Sequence, residues 1–267
     1  MRTLKPTLTT MFLFSAAALG CAGSAAEDDP STVVATSDLE SDNGLNSING
    51  LTATNGLNSI NGLSATNGLA STNGLASTNG LMTTAAGRTT VTYLVRCALP
   101  AAASIVKQDQ YGASYTFHGE IGVAPQWQTG ACDNNCQQLV SACMLAHINT
   151  SGIHVPLWLD AQVASIGWGL NSLYPNEEGS FFGNIFISPP KAYYCYGPGA
   201  FVSPAPGRIG STQTTPPYVN AFAASDGLCA TAPHCAPADK PYQTNGFKTC
   251  NAGGMNYPAI TVWRGSY

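Results

Sequence analysis

The sequence predicts a β-rich α+β fold, in which one disulfide-stapled domain with a single prominent amphipathic helix follows a hexapeptide-repeat spacer. Three observations lead to this prediction. Short alternating or apolar runs separated by Gly- and Pro-rich turns fill residues 88–267, which is typical of short strands. One segment of that region instead carries apolar residues at helical spacing. Ahead of it, from residue 43, an Asn-Gly-Leu triplet recurs every six residues.

Residues 1–20 have the layout of a signal peptide. Arg2 and Lys5 precede an apolar segment from Met11 to Leu19, which is too short to span a bilayer. The following Gly20-Cys21, a small residue directly before a cysteine, resembles the lipobox of bacterial lipoproteins. That resemblance implies cleavage before Cys21, acylation of Cys21 with fatty acids such as palmitate, and membrane attachment through this lipid. An ordinary secretory signal with an incidental cysteine is the alternative.

The mature chain is predicted to begin with a lipid-anchored acidic tether at residues 21–42. This segment has six acidic residues, no Lys or Arg and no aromatic residue, so it cannot bury enough apolar surface to form a core. In the lipoproteins that the signal resembles, a residue such as Ala22 after the acylated cysteine implies the outer membrane. The cluster at residues 27–29 resembles acidic surface-export signals. We therefore expect a cell-envelope location, with the periplasm and the cell surface both open.

Residues 43–84 form the repeat, in which Asn-Gly-Leu occurs seven times. An even period places every Leu of an extended chain on one face, and Asn-Gly favours a turn at each repeat boundary. A small β-solenoid with stacked Leu residues is one interpretation. A flexible linker or stalk is the other, because the segment is uncharged and of low complexity. Both interpretations make the repeat a spacer.

Residues 88–267 are predicted to form one domain of ordinary size. Its first strand is expected where Val91, Tyr93, Val95 and Cys97 alternate with polar residues. Further strands are expected in apolar runs between turn residues, at Tyr115–Phe117, Val155–Leu159, Phe181–Ile187, Ala192–Tyr196 and Ile260–Trp263.

The prominent helix is expected after Asp133, a residue type that caps helix N-termini. Apolar residues then recur at helical spacing to form one continuous face, and the helix is expected to end near Gly152. His147 falls on the apolar face, so we interpret it as a core histidine rather than a ligand. The face consists of Cys136, Leu139, Val140, Cys143, Met144 and His147.

Nine cysteines are present, and an odd number in an exported chain needs an explanation. Assigning Cys21 to lipid leaves eight, enough for four disulfides in an oxidising compartment. Cys136 and Cys143 lie about 10 Å apart along the helix, too far to pair with each other. Each is therefore expected to join the helix to another element, and the pairing otherwise stays open. The eight are Cys97, Cys132, Cys136, Cys143, Cys195, Cys229, Cys235 and Cys250.

Composition argues against several classes of partner. The formal net charge is −4, and from residue 88 onward acidic and basic residues balance, so no basic stripe for nucleic acid is expected. Cys132-x3-Cys136 lacks the second ligand pair that a structural zinc site needs, so we expect no metal and no cofactor. No later apolar run is as long as the roughly 18 residues of a membrane span, so attachment is expected to depend on the lipid.

Catalysis, if present, is expected to use carboxylates, because no serine-hydrolase or metalloprotease motif is found. The central candidates are Glu120, Asp160, Glu177 and Glu178, and Glu178 with Glu120 is the pair chosen as acid and base. The favoured alternative is that Glu177 and Glu178 occupy a solvated turn. The tryptophans offer a sugar-stacking surface, although core packing is the favoured interpretation; they are Trp127, Trp158, Trp168 and Trp263.

Three blocks of the domain resemble secreted and lipoprotein domains of myxobacteria: residues 93–100, 140–146 and 178–184. This resemblance implies no particular activity. The sequence therefore predicts a lipid-anchored envelope protein with a non-catalytic role, either structural or in binding and adhesion to a surface glycan or protein. A hydrolase of envelope polysaccharide, using paired carboxylates, is the alternative.

Overall fold

The computed structural model of the chain describes residues 40–43, 69–70, 80–149, 154–167, 169–187, 189–209, 224–230, 235–237 and 246–267. All of them belong to the unit Val34–Tyr267. The predicted signal peptide, Cys21, most of the tether and most of the repeat lie outside the described residues.

Within these ranges the chain forms two α-helices and eleven β-strands. The helices are α1 (Ala85–Ala98) and α2 (Asn134–Ala146), and short 3-10 turns at Leu81–Thr83 and Pro125–Gln128 precede them. The strands are β1 (Glu40–Asn43), β2 (Ser104–Gln108), β3 (Ser114–His118), β4 (Val155–Asp160), β5 (Asn176–Asn184), β6 (Lys191–Tyr196), β7 (Ala224–Leu228), β8 (Cys235–Pro237), β9 (Phe247–Ala252), β10 (Met255–Pro258) and β11 (Ile260–Arg264).

The strands form three sheets, which confirms the predicted β-rich α+β class. A six-stranded sheet has the order β1-β4-β11-β5-β6-β7, with β6 and β7 parallel and the other neighbours antiparallel. A three-stranded sheet has the order β10-β9-β8, and β2 pairs with β3 as a hairpin. Residues distant in sequence therefore meet on the central strand β11.

The two faces of the six-stranded sheet bury different side chains. Leu157 and Leu159 of β4 and Val262 of β11 join the main core together with α1 and α2. Since successive strand residues point to opposite faces, Trp158 and Trp263 lie on the second face, in a cluster of their own. Another part of the second face is covered by the three-stranded sheet through an apolar cluster that includes Phe182, Phe247 and Tyr257.

Helix α2 confirms the predicted helix. The Asp133 side chain caps it by accepting a hydrogen bond from Cys136 N at 2.8 Å. The predicted apolar face is buried, and His147 follows the last turn with 1% of its surface exposed. The helix ends at Ala146, earlier than the expected end near Gly152.

The predicted first strand is wrong, because residues 91–97 belong to helix α1. The same segment that alternates with period two also buries Val91, Leu94, Val95 and Ala98, which are spaced as one helical face. Thr84 caps the helix by accepting from Gly87 N at 3.0 Å. The described residues thus contain two helices rather than a single prominent one, and packing against α2 outweighs the β propensity of Val and Tyr.

The other strand predictions agree better with the structure. Strands β3, β4, β6 and β11 confirm four of them. Strand β5 begins at Asn176, well before the expected Phe181, and ends at Asn184. Several strands were not predicted, because they are short and lack an apolar run long enough to indicate a strand; they are β1, β2 and β7 to β10.

Residues ahead of position 88 also take part in the fold. Leu69 and Met82 are fully buried in the main core, and Leu69 N donates to Trp127 O at 2.7 Å. Strand β1, at the junction of the predicted tether and repeat, pairs with β4 along the edge of the large sheet. The core therefore draws on segments on both sides of the expected start of the domain.

The eight cysteines beyond residue 90 form four disulfides, as predicted. Cys97–Cys143 joins α1 to α2, while Cys195–Cys229 and Cys235–Cys250 staple the loop-rich C-terminal part. Cys136 and Cys143 do not pair with each other, as expected from helix geometry. Cys136 bonds instead to Cys132, in the segment directly before the helix, so the expectation that it joins α2 to another element is wrong. In the part of the chain that the structure describes, neither helix combines the length and hydropathy of a membrane span.

Candidate functional site

The two carboxylates chosen from the sequence each bind a different arginine. Glu120 forms an ion pair with Arg96, which lies in α1. The backbone N of Glu120 donates to Leu99 O at 2.7 Å, so this residue fastens the end of α1 to the following hairpin. The arrangement is a structural contact at a partly exposed position.

Glu178 is fully buried and forms an ion pair with Arg208. Arg208 Nε lies 3.1 Å from both carboxylate oxygens. The same guanidinium donates to Ala146 O at 2.7 Å and Ile148 O at 2.6 Å. Glu178 and Arg208 therefore clamp β5 to the C-terminal end of α2, and both side chains are occupied by this contact. The interpretation of Glu177 and Glu178 as a solvated turn is wrong, because both are buried strand residues.

A different pair of acids comes together on the second face. Asp160 ends β4 and pairs with Thr261, while Glu177 of β5 pairs with Trp263. Both acids therefore flank β11, on strands whose backbones lie about 10 Å apart across it. Asp160 is 0% exposed and Glu177 is 5% exposed. We call these two residues the carboxyl pair.

Adjacent residues of a strand point to opposite faces, and a β-bulge decides which of the two glutamates of β5 shares a face with Trp263. Val262 pairs with Gly179 but Trp263 pairs with Glu177, so Glu178 is the extra residue. A bulge changes which side chains share a face. As a result Glu178 reaches Arg208 on the helix side, and Glu177 joins Trp263 and Asp160 on the other.

The surroundings of the carboxyl pair raise the pKa of one of its two members, Glu177. Burial, reinforced by the negative charge of Asp160, raises the pKa of Glu177 to about 7. A carboxyl group with such a pKa carries a proton for part of the time at neutral pH, and it then donates a hydrogen bond instead of only accepting one. Asp160 Oδ1 accepts a hydrogen bond from Gly169 N at 3.3 Å. The pair thus offers a proton donor and an acceptor on one face.

Three aromatic rings adjoin the carboxyl pair, and we call them the aromatic cluster: Trp158, Tyr174 and Trp263. Trp158 and Tyr174 are stacked with ring centroids 6.0 Å apart, and Trp158 Nε1 donates to Gly169 O at 2.8 Å. Trp263 is 5% exposed, and its indole Nε1 has no hydrogen-bond partner among the residues that the structure describes. A buried donor left without an acceptor is costly, and it is satisfied when an acceptor from a ligand or water reaches it.

Arg264, which follows Trp263 and points to the helix side of the sheet, binds the loop that follows β6. Its guanidinium donates to Gly199 O at 2.9 Å, Ala200 O at 3.1 Å and Val202 O at 2.8 Å. Gly199 and Gly197 belong to this loop, and a Cβ atom on Gly197 would lie only 2.7 Å from Glu177 Cγ. The loop is therefore held directly against the Glu177 side chain.

Four apolar side chains in the segments next to these residues are exposed: Leu173, Phe201, Val202 and Tyr267, which are 74%, 62%, 52% and 53% exposed. Phe201 and Val202 belong to the loop that Arg264 holds. Leu173 O lies 3.4 Å from a Cβ atom placed on Gly265. Phe201 packs edge-on against Tyr196, with ring centroids 5.4 Å apart, and Tyr196 packs against the main core, so Phe201 lies on the helix side of the sheet.

The histidines and cysteines of the described residues do not form a metal centre. His147 Nδ1 lies 3.8 Å from the sulfurs of Cys97 and Cys143, but these sulfurs are bonded to each other. Burial lowers the pKa of His147 to about 3, so the ring is neutral, in keeping with its interpretation as a core histidine. A second group, Cys195, Cys229 and Cys235, also consists of disulfide sulfurs.

The tryptophans divide between core and site. Trp127 is fully buried in the main core against Phe186, with ring centroids 5.4 Å apart. Trp158 and Trp263 are buried as well, but in the aromatic cluster on the second face. Trp168 lies outside the described residues.

No family model matches this chain, and no curated protein or solved structure is significantly similar to it. Among the central acids expected from the sequence, Asp160 and Glu177 are the two that interact, whereas the predicted pair, Glu178 with Glu120, binds two different arginines. One signal was present: the alternation of Val155–Asp160 places Trp158 and Asp160 on the same face of a strand. The bulge that brings Glu177 to that face has no counterpart in the sequence pattern.

Proposed function

We propose that this protein is a lipid-anchored protein of the cell envelope, held at the outer membrane through acylated Cys21 and presenting its disulfide-bonded domain on a spacer. The lipobox-like sequence before Cys21 supports the anchor. The four disulfides of the domain support an oxidising compartment.

The anchor is tested by expressing the full chain and its Cys21→Ser variant in a Gram-negative host. We expect the wild-type protein to fractionate with the outer membrane and to carry fatty acids on its first residue by intact-mass analysis. The Cys21→Ser variant should lack the fatty-acid mass and leave the membrane fraction. A Cys132→Ser variant serves as the matched control, since it removes a cysteine without touching the lipobox. Equal membrane association of wild type and Cys21→Ser contradicts the anchor.

We assign to the domain a non-catalytic role in binding a surface glycan. The observation that carries this role is the indole N–H of Trp263, which is buried with the other two aromatic rings on the strand next to Glu177 and has no acceptor among the described residues. Sugars offer hydroxyl acceptors for such a donor, hydroxyl donors for carboxylates and apolar ring faces for aromatic side chains.

Glycan binding is tested with the full-length protein on immobilised envelope polysaccharides. Trp263→Phe keeps an aromatic ring and removes the N–H, so we expect about a tenfold weaker affinity for any glycan that the wild type retains. Tyr111→Phe, at an 86% exposed residue in the turn between β2 and β3, is the matched control and should bind as the wild type does. If no polysaccharide retains the wild-type protein, the glycan-binding role is excluded, and capture of an envelope protein becomes the outcome to examine.

A second candidate function is hydrolysis of an envelope polysaccharide. The observation that favours it is the pKa of Glu177, raised to about 7 beside Asp160. A glycosidase uses one protonated carboxyl as general acid and a second carboxylate as base or nucleophile. Glu177→Gln and Asp160→Asn should then each lower turnover by about 10² or more while the polysaccharide still binds. Glu120→Gln, which alters an acid held by Arg96, is the control. Binding without release of reducing ends by the wild type excludes this candidate.

A further inference from the structure

Two disulfides touch each other where the small sheet covers the large one. Cys195 of β6 is bonded to Cys229, which follows β7, and Cys235 of β8 is bonded to Cys250 of β9. The sulfur of Cys195 lies 3.4 Å from the sulfur of Cys235. The sulfurs of Cys195, Cys229 and Cys235 all lie within 4.8 Å of one another. Four sulfur atoms are therefore gathered at one place.

The present pairing leaves the two sheets without a covalent link at this place. The Cys195–Cys229 bond lies within the six-stranded sheet, whose neighbours β6 and β7 it connects. The Cys235–Cys250 bond lies within the three-stranded sheet, between opposite residues of β8 and β9. The sheets are instead held together by an apolar cluster that contains these cysteines, Phe182 and Tyr257.

We propose that these four cysteines form a thiol–disulfide exchange site that interconverts two pairings when a low-molecular-weight thiol reaches it. Exchange proceeds by attack of a thiolate on a disulfide sulfur, through a mixed disulfide. The contact between Cys195 and Cys235 supplies the step inside the protein, since a thiolate on either residue already touches the sulfur that it must attack.

The exchange balances in three steps. An external thiolate attacks Cys229 Sγ, forms a mixed disulfide there and releases Cys195 as a thiolate. Cys195 then attacks Cys235 Sγ, which forms Cys195–Cys235 and releases Cys250 as a thiolate. Cys250 finally attacks Cys229 Sγ and expels the external thiolate unchanged. No net oxidation occurs, because two disulfides are present before and after the sequence.

The exchange changes how the sheets are joined. Both new bonds, Cys195–Cys235 and Cys229–Cys250, connect the large sheet to the small one, whereas each original bond stays within one sheet. Cys195, Cys229 and Cys250 are almost fully buried, and Cys235 is partly exposed. The external thiol reaches the buried sulfurs when the small sheet opens locally. The two new bonds then link the small sheet covalently to the large one.

The proposal is tested on the oxidised full-length protein, incubated with less than one equivalent of dithiothreitol, quenched with acid and mapped by non-reducing peptide mass spectrometry. We expect peptides linking Cys195 to Cys235 and Cys229 to Cys250 to increase about tenfold over the untreated sample. The Cys97–Cys143 and Cys132–Cys136 links in the same sample should stay unchanged. Loss of native links without the two new ones, or exchange that mixes all eight cysteines, overturns the proposal.

A variant isolates the internal step. Cys229→Ser leaves Cys195 without its partner, so we expect Cys195 to bond to Cys235 and a free thiol to appear at Cys250. The matched control is Cys132→Ser, whose freed Cys136 lies about 10 Å along α2 from Cys143 and should keep its thiol. Retention of Cys235–Cys250 beside a free Cys195 overturns the proposal. The wild-type experiment remains decisive if the Cys229→Ser variant does not fold.

Discussion

At the scale of single residues, the buried charged side chains differ in role. Some form contacts that stabilise the fold, whereas Glu177 has a raised pKa. Arg208 is matched by the Glu178 carboxylate and two backbone carbonyls, so it joins β5 to the end of α2. Arg264 Nη2 donates to three carbonyls of the loop after β6, while its buried Nε has no hydrogen-bond partner among the described residues. Glu177, in contrast, has a negative neighbour in Asp160 and a raised pKa. Glu177 is therefore a buried acid whose charge changes near neutral pH.

The raised pKa of Glu177 predicts a pH dependence of stability. Between about pH 4.5 and pH 7 the folded protein holds a proton that the unfolded chain has released. The free energy of unfolding should therefore fall as the pH rises through this window, by up to about 3 kcal/mol. Urea unfolding across this range measures the slope. Glu177→Gln has no proton to lose and should flatten this contribution, so equal slopes in the two proteins contradict the prediction.

Removing one partner of the buried ion pair should be strongly destabilising. Arg208→Met leaves the Glu178 charge and the carbonyls of Ala146 and Ile148 without their donor. We expect a loss of about 3–5 kcal/mol in the free energy of unfolding. Glu120→Gln disrupts the partly exposed pair with Arg96 and should cost about 1 kcal/mol or less. Chemical denaturation compares the two variants, and similar costs would contradict the assigned roles.

At the scale of elements, helix α1 shows why short sequence patterns mislead. Its residues 91–97 fit a strand of period two, yet they also fit a helix that buries Val91, Leu94 and Val95. Tertiary packing decides between the two patterns, because α1 lies against α2 and is bonded to it through Cys97–Cys143. The helix α2 was predictable because its cap and its apolar spacing agree.

The two disulfides of α2 should contribute unequally to stability. Cys97–Cys143 spans 46 residues, whereas Cys132–Cys136 spans 4. A longer loop loses more entropy in the unfolded chain when it is closed, so the paired serine replacements should cost about 4 and about 2 kcal/mol respectively. Guanidinium denaturation of the two double variants measures this difference. A larger cost for the short loop would indicate that local packing at Cys132, rather than loop closure, dominates.

At the scale of the whole molecule, the large sheet separates a packed core from the candidate site. Its helix side buries the main apolar core, and its second face is shared by the small sheet and the aromatic cluster. The carboxyl pair lies on that second face, where β11 brings β4 and β5 together. The site therefore depends on strand order, which sequence spacing does not encode.

The core also extends into the segment that the sequence assigns to the repeat. Met82 is fully buried, so Met82→Ala should lower the free energy of unfolding by about 2–5 kcal/mol. Leu173→Ala changes a residue that is 74% exposed and should cost about 0.5 kcal/mol or less. Thermal or chemical unfolding of the full chain distinguishes them. A negligible effect of Met82→Ala would restrict the folded unit to residues beyond the predicted boundary at 88.

The amino-acid sequence by itself determined the β-rich α+β class, helix α2, four of the strands and the presence of disulfides, because each depends on residues close together in the chain or on cysteine chemistry. The cell-envelope location, the lipid on Cys21 and the boundaries of the spacer remain predictions from the sequence. Only the tertiary structure decided that residues 91–97 are helical, which cysteines pair, and that Glu177 and Asp160 form the carboxyl pair. The physical reason is that these outcomes depend on packing partners and on a strand bulge that bring together residues far apart in sequence.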